Sequence, residues 1–319
     1  MNFTFSNTNS FKSLTDVLCN KVDDNSYSIK KEYGKGTIKE YNIENGLIIR
    51  TIEICIKNPL LGKWSYSKES LREYYLFFNL SDTHEEGKTI NGELIEEGAT
   101  AFTQNNDRIR VWLPNISYKL LLITFNQAWY DKLIKTITFP NTIISNLSSV
   151  NNLYLRTSIH SNSKIVLTQL FNEIETQTQC SYTYLEIKAI ELMYIFFSEV
   201  FQTISEEKHE HNVHPNDVKQ LNIFMGTLND NIEALPNIKE ASEELNMSES
   251  KFQRIFKSIL GTTYYDFVFK LRMDTSMELL INKISVTEVA IKTGYSSIGN
   301  FSNAFKRYFG MSPSEIVNH

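Results

Sequence analysis

Two segments near the end of the chain share one pattern, and they constrain the fold more than any other feature. They read "IKEASEELNMSESKFQRIFKSILGTT" and "VTEVAIKTGYSSIGNFSNAFKRYFGMSP". In each, a short amphipathic helix is followed by a tight turn, a second helix with central phenylalanines and a glycine. The pairs Phe256-Lys257 and Phe305-Lys306 hold equivalent places, 49 residues apart. A repeated supersecondary unit is the economical explanation, so the sequence predicts two helix-turn-helix units.

Helical periodicity extends to the residues around these units. One helix is expected over 216–228, and a connecting helix over 266–281 would be about 24 Å long. Ser248 is a good N-cap for the second helix of the first unit. In the second unit the turn falls at Thr293-Gly294-Tyr295, and its second helix begins after Ser297. These signals predict an all-α domain over 216–319.

The N-terminal part has the period of β-strands. "TIKEYNIENGLIIRTIEICIK" alternates around an Asn45-Gly46 turn, and a second turn of this kind stands at Asn91-Gly92. "SYKLLLITF" has the composition of a more buried strand. Short strands and turns at regular spacing predict a β-rich domain over 1–140, built as a small barrel or sandwich, and 141–152 reads as a loop.

A helical segment over 163–204 follows the β-rich part. Its second helix, 185–201, is apolar over so much of its surface that it must be buried against something. Packing onto the β-rich domain and a homodimer seam both satisfy this requirement. The charged segment 205–215 lacks periodicity and is expected to be the interdomain linker. Its histidines, His209, His211 and His214, fit a solvated linker better than a metal site.

Composition narrows the class of protein. The net charge of −5 disfavours indiscriminate adhesion to nucleic acid, while specific binding stays open. No apolar run is long enough for a membrane span, and the N-terminus has no secretory signal. Cys19, Cys55 and Cys180 have no disulfide or metal spacing, so a cytoplasmic protein without a cofactor or metal is expected. No catalytic constellation is recognisable, so an enzyme is not expected.

Charge is divided within the predicted helical domain. Residues 215–250 carry seven acidic and two basic side chains, whereas residues 251–319 carry nine basic and five acidic ones. Because this step falls inside one predicted domain, it indicates two faces of opposite charge.

The last hundred residues resemble the AraC/XylS family of bacterial transcription regulators. The resemblance rests on "RIFKSILGTT", "FKLRMDTSMELL", "VTEVAIKTGYSS" and "NFSNAFKRYFGMSP", which follow the family's order and spacing. "GTTYYDFVFKLRM" and "LEIKAIELMYIFF" are more similar to the branch around the pyochelin-responsive regulator PchR. The resemblance implies an α+β protein with an N-terminal cupin-like β-barrel or sandwich, a helical dimerisation segment and a C-terminal domain with two helix-turn-helix units.

The resemblance also implies a function and partners. It implies a transcription activator that binds promoter DNA in two successive major grooves, about 34 Å apart. RNA polymerase, a small-molecule effector of the N-terminal domain and a second copy of the chain are the other implied partners. An alternative is a sensor or interaction protein whose DNA binding is weak or vestigial. The near-neutral helical domain and the few charges on the second recognition helix favour this alternative.

Residue types on the two recognition helices predict how DNA would be read. Gln pairs bidentately with adenine and Arg with guanine, Asn also reads adenine, and an apolar side chain contacts the thymine methyl. Lysine and arginine at helix edges contact phosphates. The predicted base-contacting residues are Ser250, Gln253, Arg254, Ile298, Asn300, Ser302 and Asn303. The predicted phosphate-contacting residues are Lys251, Lys257, Lys306 and Arg307.

The second recognition helix departs from the family's pattern. Many relatives have Arg where Asn303 stands, and a polar side chain is frequent where this chain has Ile298. We therefore expect the first helix to dominate discrimination between DNA sequences. In the N-terminal domain, Trp64, Tyr66 and Tyr75 are weak candidates for lining an effector pocket, although a β core needs aromatic residues in any case.

Overall fold

The computed structural model describes residues 2–6, 10–43, 46–58, 60–65, 73–81, 98–103, 108–112, 114–136, 154–176, 181–211, 215–228, 232–260 and 262–317. The turn predicted at Asn91-Gly92 and the loop predicted at 141–152 lie outside these residues. The strands of the N-terminal part are β1 (Asn2–Ser6), β2 (Cys19–Lys21), β3 (Ser26–Ile29), β4 (Gly34–Ile43), β5 (Leu47–Ile56), β6 (Leu60–Ser65), β7 (Glu73–Asn79), β8 (Gly98–Thr103), β9 (Arg108–Trp112), β10 (Ser117–Asn126) and β11 (Tyr154–Thr157).

An antiparallel eight-stranded sheet organises this part. Its strand order is β11-β8-β7-β10-β5-β4-β3-β2, and a smaller sheet has the order β1-β6-β9. Strand β10 is central, paired with β5 on one side and β7 on the other. The hairpin predicted at Asn45-Gly46 is confirmed, because Ile43 pairs with Leu47 across it and Gly46 has φ +87°. The predicted buried strand is β10.

Both faces of the eight-stranded sheet are covered. One face packs Ile38, Ile52 and Leu120 against Leu14 and the β9 residue Trp112. The other face packs against helices α2 (Gln127–Thr136), α3 (Ser161–Thr176) and α4 (Tyr182–His211). The predicted α+β class is confirmed. Helices α1 (Ser10–Leu18) and α2 and strand β11 were not predicted from the sequence.

Helix α4 buries its apolar face within the chain. Leu185, Ala189, Leu192 and Met193 have no solvent exposure, and they belong to the same core as the sheet. Packing onto the β-rich part is therefore the alternative that the structure shows. A homodimer remains a prediction, and these buried residues are not available to form its seam.

The predicted linker at 205–215 is corrected over 205–211. Helix α4 continues through His211, and the next helix, α5 (Pro215–Thr227), begins four residues later. Extending an existing helix requires no new nucleation, and glutamate and lysine in "SEEKHEH" are good helix formers. Charge and missing apolar periodicity therefore did not exclude a helix here.

Two helix-turn-helix units are present, as predicted. The first consists of α6 (Ile238–Glu244) and α7 (Glu249–Leu260), and the second of α9 (Val286–Lys292) and α10 (Ile298–Phe309). Between them runs α8 (Tyr264–Ile281), and α11 (Pro313–Val317) ends the domain. With 18 residues, α8 is about 27 Å long.

The two units have separate cores. Phe252 and Phe256 of the first unit, together with Tyr264 at the start of α8, belong to the core that also contains the β-rich part. Phe301 and Phe305 of the second unit pack in a separate cluster with residues of α8. The first unit is thus packed against the N-terminal half.

None of the helices that the structure describes is long and apolar enough to cross a membrane.

Candidate nucleic-acid interface

Helix α7 presents a polar face because its apolar residues follow a helical period. Ser248 caps the helix by accepting a hydrogen bond from the Lys251 backbone N–H at 3.3 Å, as the sequence predicted. Phe252, Ile255, Phe256, Ile259 and Leu260 are buried. The opposite face carries three predicted contact residues that are exposed to solvent, namely Ser250, Gln253 and Lys257.

Two other predicted contact residues of α7 are less accessible. The Lys251 ammonium lies 2.8 Å from a carboxylate oxygen of Asp217, a buried residue in the first turn of α5. Arg254 is half-buried, with its Nε shielded from solvent. The structure therefore places Ser250, Gln253 and Lys257 on an open face, with Lys251 and Arg254 at its edge.

Helix α10 is more open than α7. Ser297 caps it through the Asn300 backbone N–H, and Phe301, Phe305 and Phe309 face inward. Ile298 is 45% exposed, although it is a large apolar residue. The predicted contact residues Asn300, Asn303, Lys306 and Arg307 are also exposed, and Ser302 is half-buried.

The turn of the second unit has a well-defined geometry. Gly294 has φ +79°, a left-handed conformation that glycine adopts without strain. The Thr293 hydroxyl is buried and donates to the Val289 carbonyl at 2.7 Å. Tyr295 packs edge-on against Phe301, which fixes the turn against α10. These contacts join the turn to both α9 and α10.

The electrostatics of the two helices suit an anionic partner. Lys306 and Arg307 are exposed in the last turn of α10, where the helix dipole favours cations. Lys257 holds the equivalent place on α7 and is exposed as well. Each helix therefore combines short polar side chains with exposed positive charge near its end. This combination can contact base edges and phosphates together.

The first recognition helix also touches the N-terminal half. Helix α7 lies against strand β11 and helix α4, and α8 lies against β9. Strand β11 is the last strand of the eight-stranded sheet, next to β8. A movement of this sheet edge would therefore displace residues that contact α7 directly. The sequence carried no recognised signal for this contact, because β11 itself was not predicted.

A polar group interrupts the apolar face of the eight-stranded sheet. Arg50 and Glu40 are direct partners on adjacent strands, and their side chains form an ion pair of 2.7 Å. Arg50 also donates to the Thr124 hydroxyl at 3.2 Å, and Thr124 pairs with Tyr75 on β7. Tyr75 is buried and donates to the Glu73 carboxylate.

The effector candidates remain predictions. Of these, Tyr75 is the strand partner of Thr124, whose hydroxyl accepts a hydrogen bond from Arg50; the sequence did not point to the Arg50–Glu40 pair. Trp64 lies on β6 of the smaller sheet, and Tyr66 falls outside the described residues. Among the residues that the structure describes, no three His, Cys, Asp or Glu side chains are grouped as metal ligands would be.

Comparison with known proteins adds a family for the C-terminal part. Residues 241–319 match the family described as "Helix-turn-helix domain". The Msm operon regulatory protein of Streptococcus mutans is 35% identical over 80 residues, which are 25% of this chain and 29% of that protein. RafR, the raffinose operon transcriptional regulatory protein of Pediococcus pentosaceus, is 33% identical over 104 residues, 32% of this chain and 38% of RafR.

The chain was also matched with the solved structures of AdpA and ToxT. The DNA-binding domain of AdpA, solved with a target DNA, is 23% identical, with 30% of this chain and 86% of that chain covered and a TM-score of 0.28. ToxT from Vibrio cholerae O395 is 14% identical, with 86% of this chain and 98% of that chain covered and a TM-score of 0.31. The curated relatives match over about a third of their own length. Their match, with the family match, confirms the resemblance to AraC-type domains for the C-terminal part.

Proposed function

We propose that this protein, whose residues 241–319 are an AraC-type helix-turn-helix domain, is a transcription regulator that binds specific double-stranded promoter DNA. The observation that carries the proposal is the pair of recognition helices. Both α7 and α10 expose polar side chains and a cationic end while their phenylalanines are buried. A helix of this kind fits the major groove of B-form DNA.

The proposed roles follow from exposure and chemistry. On α7, Ser250 and Gln253 read base edges, Arg254 does so from the edge of the open face, and Lys257 contacts a phosphate. On α10, Asn303 reads adenine and Ile298 contacts a thymine methyl. Asn300 and Ser302 support these contacts, and Lys306 and Arg307 contact phosphates. No residue is assigned a catalytic role.

Regulation by the N-terminal half is the finer part of the proposal. Because α7 lies against β11, a ligand or a second copy that shifts the sheet edge would alter how freely α7 enters DNA. The group formed by Arg50, Glu40, Thr124 and Tyr75 is the effector site that we favour, since buried polar groups on an apolar face are typical of ligand pockets. Activation through RNA polymerase in the cytoplasm completes the proposal.

One observation favours a second candidate function. Lys251 is engaged with Asp217 and Arg254 is half-buried, so two of the strongest DNA-contacting side chains of α7 are not fully presented. An interaction protein with weak DNA binding would show such features. The two candidates differ in whether specific binding occurs at all.

A gel-shift titration with the DNA upstream of the protein's own gene tests the proposal at two salt concentrations. Specific retention that weakens with salt is expected, with a slope of about −0.9 per phosphate contact on a double-logarithmic plot. Replacing both Lys306 and Arg307 with alanine should reduce the slope by about two. Lys21→Ala, on the exposed surface of β2, is the matched control and should bind like wild type. Absence of retention at low salt would favour the second candidate.

A further inference from the structure

Arg272 lies in the middle of α8, where the two helix-turn-helix units meet. Its Nε is buried and has no hydrogen-bond partner in the described part of the chain. Its Nη2 lies 3.0 Å from the position that a Cβ on Gly294 would occupy. The guanidinium therefore rests directly against the turn of the second unit, in space that only the absence of a side chain leaves open.

The same point is in contact with the segment that precedes the first unit. The backbone oxygen of Glu233 lies 3.1 Å from that Cβ position on Gly294. Three parts of the chain thus converge here: the residues before α6, the connecting helix and the turn before α10. The carbonyl oxygen carries partial negative charge, so the nearby guanidinium is attracted to it.

The charge of Arg272 also acts on two tyrosines, one packed against each unit. Burial raises the pKa of Tyr264, and the repulsion of Glu244 adds to this, while Arg272 opposes the rise. Burial likewise raises the pKa of Tyr295, and Arg272 again opposes the rise. Tyr264 packs with Phe252 and Phe256 of the first unit, whereas Tyr295 packs with Phe301 of the second. Arg272 is therefore within electrostatic reach of both aromatic clusters.

We propose that Arg272 is a positioning residue that fixes the angle between the two recognition helices, by holding its guanidinium between Glu233 and the Gly294 turn. Its consequence for DNA rests on the proposed function, because two helices can enter successive grooves together only at a fixed relative orientation. A longer or shorter contact here would rotate α10 relative to α7. Arg272 itself touches no DNA in this proposal.

The orientation is measured first without DNA. Spin labels at Glu243→Cys and Thr287→Cys, both exposed positions of the first helix in each unit, report the distance between units in the full chain. The native cysteines are replaced in this background. Arg272→Met keeps the side-chain stem but removes the charge, and it should broaden the distance distribution. Arg272→Lys should lie between Arg272→Met and wild type, and Lys270→Met, at an exposed position of the same helix, should match wild type.

The second measurement uses operators with altered spacing. Inserting one base pair between the half-sites rotates one relative to the other by about 35°. Wild type should bind the altered operator about tenfold more weakly than the original operator. Arg272→Met should bind the two operators with nearly equal affinity, and it should bind each isolated half-site as well as wild type does. Gly294→Ala, which disturbs the contact from its other side, should act like Arg272→Met.

The outcomes separate the two proposals. If Arg272→Met and Gly294→Ala give the distance distribution and the spacing preference of Lys270→Met, the role of Arg272 is wrong. If wild type shows no specific DNA binding, the proposed function fails, and the spin-label distances alone then decide the role of Arg272.

Discussion

Lys251 and Asp217 join the first recognition helix, α7, to helix α5, with 2.8 Å between the ammonium and a carboxylate oxygen. The Asp217 side chain is 11% exposed and that of Lys251 is 33% exposed. While this pair persists, the charge of Lys251 is offset by a near neighbour. Its contribution to phosphate binding should then be smaller than that of Lys257, which faces solvent on the same helix.

The first prediction compares these two lysines by salt dependence. Lys257→Met should reduce the salt slope of DNA binding by about one, because one phosphate contact is lost. Lys251→Met should leave the slope nearly unchanged and instead lower the free energy of unfolding by about 1–2 kcal/mol, since it removes an ion-pair partner from the largely buried Asp217 carboxylate. Binding titrations at several salt concentrations and urea unfolding measure the two effects. Equal slope losses for both variants would place Lys251 on a phosphate.

The second prediction concerns unequal reading by the two helices. The first offers Gln253 and Arg254, which can each form bidentate base contacts, whereas the second relies on Asn303 and Ile298. Base changes under the first helix should therefore cost about 1–3 kcal/mol of binding free energy per position, and those under the second should cost less. Binding to operators altered in one half-turn at a time measures this. Equal losses in both half-turns would contradict it.

The third prediction concerns the ion pair inside the sheet. The side chains of Arg50 and Glu40 are 11% and 18% exposed, so removing one partner leaves a largely buried charge. Arg50→Met should lower the free energy of unfolding by about 2–3 kcal/mol, and adding Glu40→Met should recover part of this loss. Urea unfolding of both single variants and the double variant gives the coupling. Lys21→Met breaks an exposed pair and should leave stability unchanged.

The sequence was sufficient where local signals and packing agree. The repeat separated by 49 residues located both helix-turn-helix units, capping by Ser248 was found where expected, and α10 begins after Ser297 as predicted. Phenylalanines spaced at a helical period lie on one face of the helix, and that face packs against the core. Gln253, Asn303 and Arg307 lie away from this face, so their exposure followed from the same pattern.

The sequence was insufficient where a contact depends on distant partners. Strand β11 has four residues and pairs only with β8, and such short strands carry little periodic signal. The partner of Lys251 lies 34 residues earlier, and that of Arg50 is set by strand register. Residues 205–211 were predicted to belong to the linker because they are charged and lack apolar periodicity, whereas helix α4 continues through them. Only the folded chain brings these groups together.

The fourth prediction uses two glycines with similar backbones. Gly294 has φ +79° and Gly310 has φ +72°, so alanine is strained at both positions by about 1 kcal/mol. Among the residues that the structure describes, and apart from its own chain neighbours, no atom lies within 4 Å of a Cβ on Gly310, whereas one on Gly294 would meet Arg272 and the Glu233 carbonyl. Gly294→Ala should therefore lower the free energy of unfolding by about 1–2 kcal/mol more than Gly310→Ala does, as measured by urea unfolding. Equal losses would mean that Arg272 moves aside freely.

The fifth prediction concerns alkaline pH and Cys19. This thiol packs in the core that contains Leu14, Ile38 and Trp112, and burial raises its pKa to about 11, with nearby Lys30 opposing the rise. In the unfolded chain the thiol ionises near pH 9, so between these values the unfolded state releases a proton that the folded state retains. The stabilisation is complete below pH 9 and is lost as the pH rises to about 11.

Cys19→Ala removes this titration. The difference in free energy of unfolding between wild type and variant should therefore shrink by about 2 kcal/mol from pH 8.5 to pH 11. Urea unfolding at several pH values measures this difference between wild type and variant. The titration of all other groups cancels in it. A constant difference for Cys19→Ala would mean that the thiol reaches solvent before the chain unfolds.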